Sequence, residues 1–329
     1  MIALLSQAPG EASTSLVMDW LHHLGAPHVR LNGDELNEGL PFAAGLEGPE
    51  VSLELGFEDG PVRGEDVRSV WFRRWHVYAN LQYLKDTESP ELGATLFRWM
   101  SGEMQALSGV MEVAMSDAGW LTRGHQMSAH KFSVLRHAAR AGLEVPATLV
   151  TNSRRHLEEF RRRHGRVVCK PLREADSFRV GEHSYSTFTA EVTDEVVATL
   201  PETFFPTLLQ EAVEKRYELR VFCLKGRLWP MAIFSQRDEQ TRADFRHYNQ
   251  VRPNRQVPYT LPGEVAERCR ALMERLGLDT GSLDLIRAAD GRYVFLEVNP
   301  VGQFGMTSEP CNYRLERHVA EYLMEMDAR

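Results

Sequence analysis

Three oxygen-bearing side chains near the C-terminal end have the spacing of a hard-cation site. In Glu297-Val298-Asn299-Pro300 a carboxylate and a carboxamide stand two residues apart, so on a strand they project to one face. Asp284 falls on the preceding apolar run and can meet them across a hairpin. Two carboxylates and an amide oxygen leave room for phosphate oxygens, the mixed coordination that Mg²⁺ favours. The competing interpretation is a capped turn carrying three exposed polar groups. Two lysines weigh towards the metal. Lys170 ends a run of Val167, Val168 and Cys169, where an ammonium needs a partner. Lys131 stands in the first turn of a helix, where the dipole disfavours a cation unless a phosphate binds there too. Alone, Lys131 reads as an ordinary surface lysine.

The elements that must position these groups follow from periodicity. Residues 2–5 form an apolar strand, and Ser13-Thr14-Ser15 can cap a helix carrying Leu16, Val17, Trp20, Leu21 and Leu24. Strands are expected at 29–31, 51–55 and 69–75, then a long helix over 91–115. Residues 1–118 read as one small α/β subdomain. A second, 119–207, has a helix capped by Ser128, strands at 146–151 and 167–171, and a polar stretch at 173–186 without periodicity, a candidate mobile loop. The third, 208–329, contains a hairpin turning at Lys225-Gly226-Arg227, a helix over 264–276, the strands 282–286 and 293–298, and a closing helix over 315–326.

Bulk properties remove several function classes. The chain has 329 residues, 43% hydrophobic and 26% charged, enough for two or three subdomains. A net charge of -8 argues against a nucleic-acid binder, and the basic run Arg161-Arg162-Arg163-His164 follows Glu158-Glu159 on a solvated helix face. Cys169, Cys223, Cys269 and Cys311 form no CxxC pair, so neither a zinc site nor a disulfide framework is expected, and a reducing cytoplasm suits the chain. The N-terminus lacks the pattern of a signal peptide, and no apolar run approaches the roughly 20 residues of a membrane span. The histidines show no HExxH spacing and there is no GxSxG elbow, so no general base is named. Arg73 and Arg74, beside Trp71, Phe72 and Trp75, either send one guanidinium to a cleft or both pair with acids at an edge.

Two lysines, a hinge-like Gln210-Glu211 and a downstream Asp…Glu-x-Asn set, in that order, resemble the ATP-grasp superfamily. The resemblance implies an α/β chain built of α+β lobes: a pre-grasp subdomain, a central lobe and a C-terminal lobe. It implies that Lys131 and Lys170 touch phosphates of ATP, and that Gln210, Glu211, Ala212 and Val213 border the adenine. Glu218 joins the nucleotide-binding set and Arg220 faces the γ-phosphate. Glu297 bridges two Mg²⁺ ions with Asp284 and Asn299. A sharper resemblance covers nearly the whole chain. Arg73-Arg74-Trp75, Tyr217-Glu218-Leu219-Arg220, Ser235-Gln236 with Thr241, Asp244-Phe245-Arg246 and Asn299-Pro300-Val301-Gly302-Gln303-Phe304 are similar to motifs of graspetide synthetases, which crosslink ribosomal peptides of the microviridin kind. Cys311-Asn312-Tyr313, the Trp20 helix and Arg30-Leu31-Asn32 are most similar to the grasp-with-spasm maturase branch. That resemblance implies a precursor peptide with a leader and an acidic, hydroxyl-rich core as partner, not nucleic acid or membrane. Its Asp or Glu side chains would be phosphorylated and closed on Thr, Ser or Lys as esters or amides. Arg246 is expected to steady the carboxylate or the transferred phosphoryl group, with Asp244 orienting the nucleophile or Arg246. A homodimer is the default for such a chain. The rival enzyme is an ATP-grasp carboxylate-amine ligase for free amino acids or a protein terminus; the rival of another class is a nucleotide-binding regulatory protein without turnover.

Overall fold

A computed structural model describes residues 1–8, 10–75, 89–173, 177–180, 183–187, 189–236 and 254–328. The chain divides into two units, Met1–Met127 with Arg314–Arg329, and Ser128–Tyr313.

In the first unit the apolar β1 (Ile2–Ser6) leads through α1 (Ala12–His23) to β2 (His28–Asn32), and α2 (Glu35–Glu38) follows. The strands β3 (Phe42–Glu47), β4 (Glu50–Phe57) and β5 (Gly60–Arg63) make a small antiparallel sheet. β6 (Ser69–Phe72), α3 (Pro90–Ala114) and β7 (Gly119–Leu121) complete a parallel sheet of order β2-β1-β6-β7. Ser89 caps α3 by accepting from Leu92 N–H at 3.4 Å, and Pro90 at the first helical position loses no bond. The expected cap of α1 fails. That helix starts earlier, after Glu11, and its hydroxyls serve tertiary partners instead: Thr14 bonds Ser6 at 3.0 Å and Ser13 accepts from Arg73 at 3.3 Å. The C-terminal helix Leu315–Asp327 packs on α1 in this unit.

The second unit opens with α4 (Lys131–Arg140), whose N-cap is His130 and not Ser128; the His130 ring accepts from Ser133 N–H at 3.3 Å. β8 (Thr148–Ser153), α5 (Arg154–His164) and β9 (Val167–Lys170) follow. The stretch expected as an aperiodic loop contains an antiparallel hairpin, β10 (Ser177–Val180) with β11 (His183–Ser186). Each strand has only four residues, too short a run for the sequence pattern to separate from a loop. β12 (Ala190–Glu191), α6 (Asp194–Thr199) and β13 (Thr203–Glu211) complete an antiparallel sheet of order β12-β9-β13-β8 over Leu157, Val167, Val192, Val197 and Leu209.

β14 (Lys215–Leu224) and β15 (Arg227–Phe234) turn through Lys225 and Gly226, both at positive φ (47° and 75°), as a tight hairpin matched to strand twist requires. β16 (Arg255–Pro258), α7 (Gly263–Arg275), β17 (Thr280–Ala288) and β18 (Tyr293–Asn299) build a five-stranded antiparallel sheet of order β16-β15-β14-β17-β18. One face, with Leu219, Val221, Cys223, Leu283, Leu285 and Val298, packs against α4 and α7 as the main core of this unit. Against the other face, at the Phe222 end, lies α8 (Gly305–Cys311), which the sequence pattern did not suggest because Pro310 sits inside it.

Candidate nucleotide and metal site

Strand alternation puts Glu218, Arg220 and Phe222 on the face of β14 opposite the main core. The register then sets Arg220 opposite Asp284, and Asp284 opposite Glu297, so one rung across three strands reads Arg, Asp, Glu. Asn299 stands opposite Ser282 on the next rung. A bulge makes this alignment. Leu285 pairs with Phe295 while Asp284 pairs with Glu297, leaving Leu296 as the extra residue and turning Glu297 into phase with Asp284.

Arg220 and Asp284 are buried, and Arg220 Nη1 donates to both carboxylate oxygens at 3.1 Å. The Nε and Nη2 of Arg220 are buried as well and have no hydrogen-bond partner among the described residues. Leaving two charged donors unmet inside a protein is costly, and an anionic ligand would complete them. Lys131, at the first position of α4, donates to the Pro171 carbonyl at 3.1 Å and lies 3.9 Å from Glu297. Asn299 accepts from Val301 N–H at 3.0 Å through its side-chain oxygen, so the amide also pins the turn that follows β18.

A cavity of about 360 Å³ opens between the two sheets of this unit. Lys170, Gln210 and the segment Glu211-Ala212-Val213 line one wall, and Glu218, Asp284 and Glu297 line the other. Lys170 donates to Gln210 Oε1 at 2.7 Å. Glu211 accepts from Ala147 N–H at 3.3 Å. Glu218 is buried between the Lys215 ammonium and the Ser235 hydroxyl, the latter at 2.9 Å. At the mouth, Arg166 grips Glu191 through two bonds of 2.8 and 2.6 Å and holds its carboxyl below the usual carboxylate range. The residues present fit a Mg²⁺-bound polyphosphate. Among the described residues no cluster of three His, Cys, Asp or Glu forms a metal cage, and two carboxylates with one amide oxygen suit an ion shared with phosphates.

No protein-family model and no curated protein matches the chain. Solved structures do. A RiPP-associated ATP-grasp ligase of Chryseobacterium gregarium, in complex with ADP and a leader and core peptide, superposes with a TM-score of 0.85 at 24% identity, over 98% of this chain and 96% of that one. The macrocyclase MdnC of Microcystis aeruginosa MRC, bound with precursor peptide MdnA, gives 0.81 at 23% identity, covering 98% and 99%. The macrocyclase MdnB of the same organism gives 0.76 at 25% identity, covering 98% of each chain. The chain has the ATP-grasp fold.

Within this ATP-grasp chain, the described residues bring together most of the set expected from sequence: Lys131, Lys170, Gln210 to Val213, Glu218, Arg220, Asp284, Glu297 and Asn299 all lie in the second unit. Lys131, Arg220 and Asn299 are beside the carboxylates but do not line the cavity. Asp244 and Arg246, with Thr241 and Phe245, lie outside the described residues. Arg73 and Arg74 do not alternate across a strand, because β6 ends at Phe72; both meet Glu11, at 3.2 and 3.4 Å. Sequence reading missed Lys215, Arg166 and Glu191, and it named Ser235 only within the Ser235-Gln236 motif, with no role. The one local signal was the spacing of Lys215, three residues before Glu218.

Proposed function

We propose that this protein is an ATP- and Mg²⁺-dependent peptide macrocyclase of the graspetide kind. The observation that carries the reading is buried Arg220, tied to Asp284 by one nitrogen and offering two unpartnered donors beside the Asp284–Glu297 pair. The similar structures support it, since two of them hold a leader or precursor peptide and one holds ADP. On this reading the last helix packs with the first unit, residues 1–118 precede the two nucleotide lobes, and the lobes are 119–207 and 208–329. The setting is the cytoplasm, where the four free cysteines stay reduced.

A side-chain carboxylate of the peptide attacks the terminal phosphorus of ATP, giving an acyl phosphate and ADP. A Thr or Ser hydroxyl, or a Lys amine, of the same peptide then attacks the acyl carbon, loses its proton and expels phosphate. ATP is required because a carboxylate is a poor electrophile. Asp284, Glu297 and Asn299 would hold Mg²⁺, two ions on the family pattern, which supplies charge neutralisation and a template for the phosphates. Arg220, Lys170 and Lys131 steady phosphate charge as it develops. Glu211 to Val213 border the base, and Glu218, clamped by Lys215 and Ser235, shapes the floor. Asp244 and Arg246 are assigned to the peptide's reacting groups.

The test is mass spectrometry of a leader peptide carrying a Thr-, Lys-, Asp- and Glu-rich core after incubation with the protein, ATP and Mg²⁺. One water is lost per ring, and Glu297→Gln abolishes the loss. An unchanged mass with ADP bound would move the assignment to a ligase for another carboxylate.

A further inference from the structure

A one-way chain of hydrogen bonds runs away from the cavity through Gln210. Lys170 Nζ donates to Gln210 Oε1 at 2.7 Å, Gln210 Nε2 donates to Thr148 Oγ1 at 3.1 Å, and Thr148 donates to the Pro146 carbonyl at 2.9 Å. The last link fixes the others. A carbonyl only accepts, so the Thr148 hydroxyl spends its proton there and can only accept from Gln210. The amide must then turn its NH₂ to Thr148 and its oxygen to Lys170, an orientation that an isolated glutamine would leave open.

Register explains why the chain can form. Gln210 lies opposite Thr148 on β8, and Leu208, two residues earlier on the same strand, lies opposite Lys170 on β9. Gln210 therefore stands between partners on the two neighbouring strands, and it is almost wholly buried, at 2% exposure. A buried side chain committed to two polar neighbours is poorly placed to read a base by its own polar atoms. What it does hold is an ammonium at the cavity wall, by a neutral oxygen that anchors the charge without cancelling it.

We propose that Gln210 is a positioning residue for Lys170: the Thr148–Gln210 relay aims the ammonium at the nucleotide's phosphates, and glutamine is required because glutamate would neutralise that charge. This rests on the reading of the cavity as an ATP site. It also replaces the expectation that Gln210 borders the adenine. Glutamate would further lose the NH₂ that Thr148 needs, so the anchor would be both over-charged and unbraced.

The experiment is calorimetric titration of the full-length protein and its variants with ADP and with adenosine, each in MgCl₂. In Gln210→Glu, ADP affinity falls by about tenfold or more, the scale of one charge-assisted bond, while adenosine affinity holds. Gln210→Met, similar in length and uncharged, keeps the charge but loses the aim, and its ADP affinity falls by a few fold with adenosine again unchanged. That variant carries the test should the glutamate variant not fold. Equal losses for ADP and adenosine would overturn the proposal and return Gln210 to the base. No loss for either ligand in a folded variant would overturn it too. A wild-type protein that binds neither ligand would sink the ATP reading itself, an outcome separate from any variant's behaviour.

Discussion

Arg73 in the first unit and Arg220 in the second are both buried beside a carboxylate, yet they are finished differently. Arg73 gives Nε to Glu11 at 3.2 Å and Nη2 to Ser13 at 3.3 Å, and its guanidinium lies 5.4 Å from the Trp71 ring centre. Burial still pulls its pKa down to about 10, with Glu11 opposing. Glu11 takes a second guanidinium, Arg74 at 3.4 Å, and Arg74 adopts φ 54° to reach it. Among the described residues Arg220 bonds only Asp284 and leaves two nitrogens unpartnered. A buried cation enclosed by protein partners serves the fold. One with donors unmet has capacity left for a ligand.

The sharpest way to break this comparison is Arg73→Met. It leaves Glu11 buried with its better partner gone, and loss of one member of a buried pair costs about 3–5 kcal/mol. Urea unfolding of the full protein reads this directly. The double variant Glu11→Leu/Arg73→Met should recover most of the loss, because the uncompensated charge is gone. A single-variant cost below about 1 kcal/mol would mean that the clasp is not what holds this edge.

The matching change in the second unit is Arg220→Lys, which keeps a cation for Asp284 but removes the two unpartnered donors. Turnover should drop about 10²- to 10³-fold, the usual consequence of losing a fixed donor at a site of developing charge. The urea midpoint should barely move. Turnover within threefold of wild type would put Arg220 in the same structural class as Arg73.

Why one of these sites was legible in the sequence and the other was not follows from how each is encoded. Glu297 and Asn299 share a strand face by period-2 spacing and Asp284 lies on the strand before them, so local pattern suggests the set. The Leu296 bulge that brings Glu297 opposite Asp284 leaves no mark in the sequence, since any residue can be the extra one. Glu11 and Arg73 are separated by 62 residues and meet only because β1 and β6 are neighbours in the parallel sheet. The Ser13-Thr14-Ser15 run looked like a helix cap because hydroxyls suit caps, yet tertiary partners claimed all three. Gln210 was expected from its place in the chain to border the adenine; it lines the cavity, and its amide bonds Thr148, 62 residues away in sequence, a contact no local pattern shows.

The weakest test of the comparison concerns Arg166 and Glu191, a two-bond pair at the cavity mouth that is open to water. Its geometry is better than that of Arg220 with Asp284, so if geometry alone set the energy it would matter more. Exposure argues otherwise: solvent screens the charges, and Glu191→Gln should cost no more than about 1 kcal/mol at neutral pH. The sign with pH is fixed by Arg166, which lowers the Glu191 pKa on folding. The pair's contribution is therefore present above the ordinary carboxylate range and fades as pH falls through the lowered value. Urea unfolding of wild type and Glu191→Gln at neutral and strongly acidic pH should show a small gap that closes in acid. A gap of several kcal/mol at neutral pH would show that burial does not rank the arginines of this chain, and the contrast between Arg73 and Arg220 would need another cause.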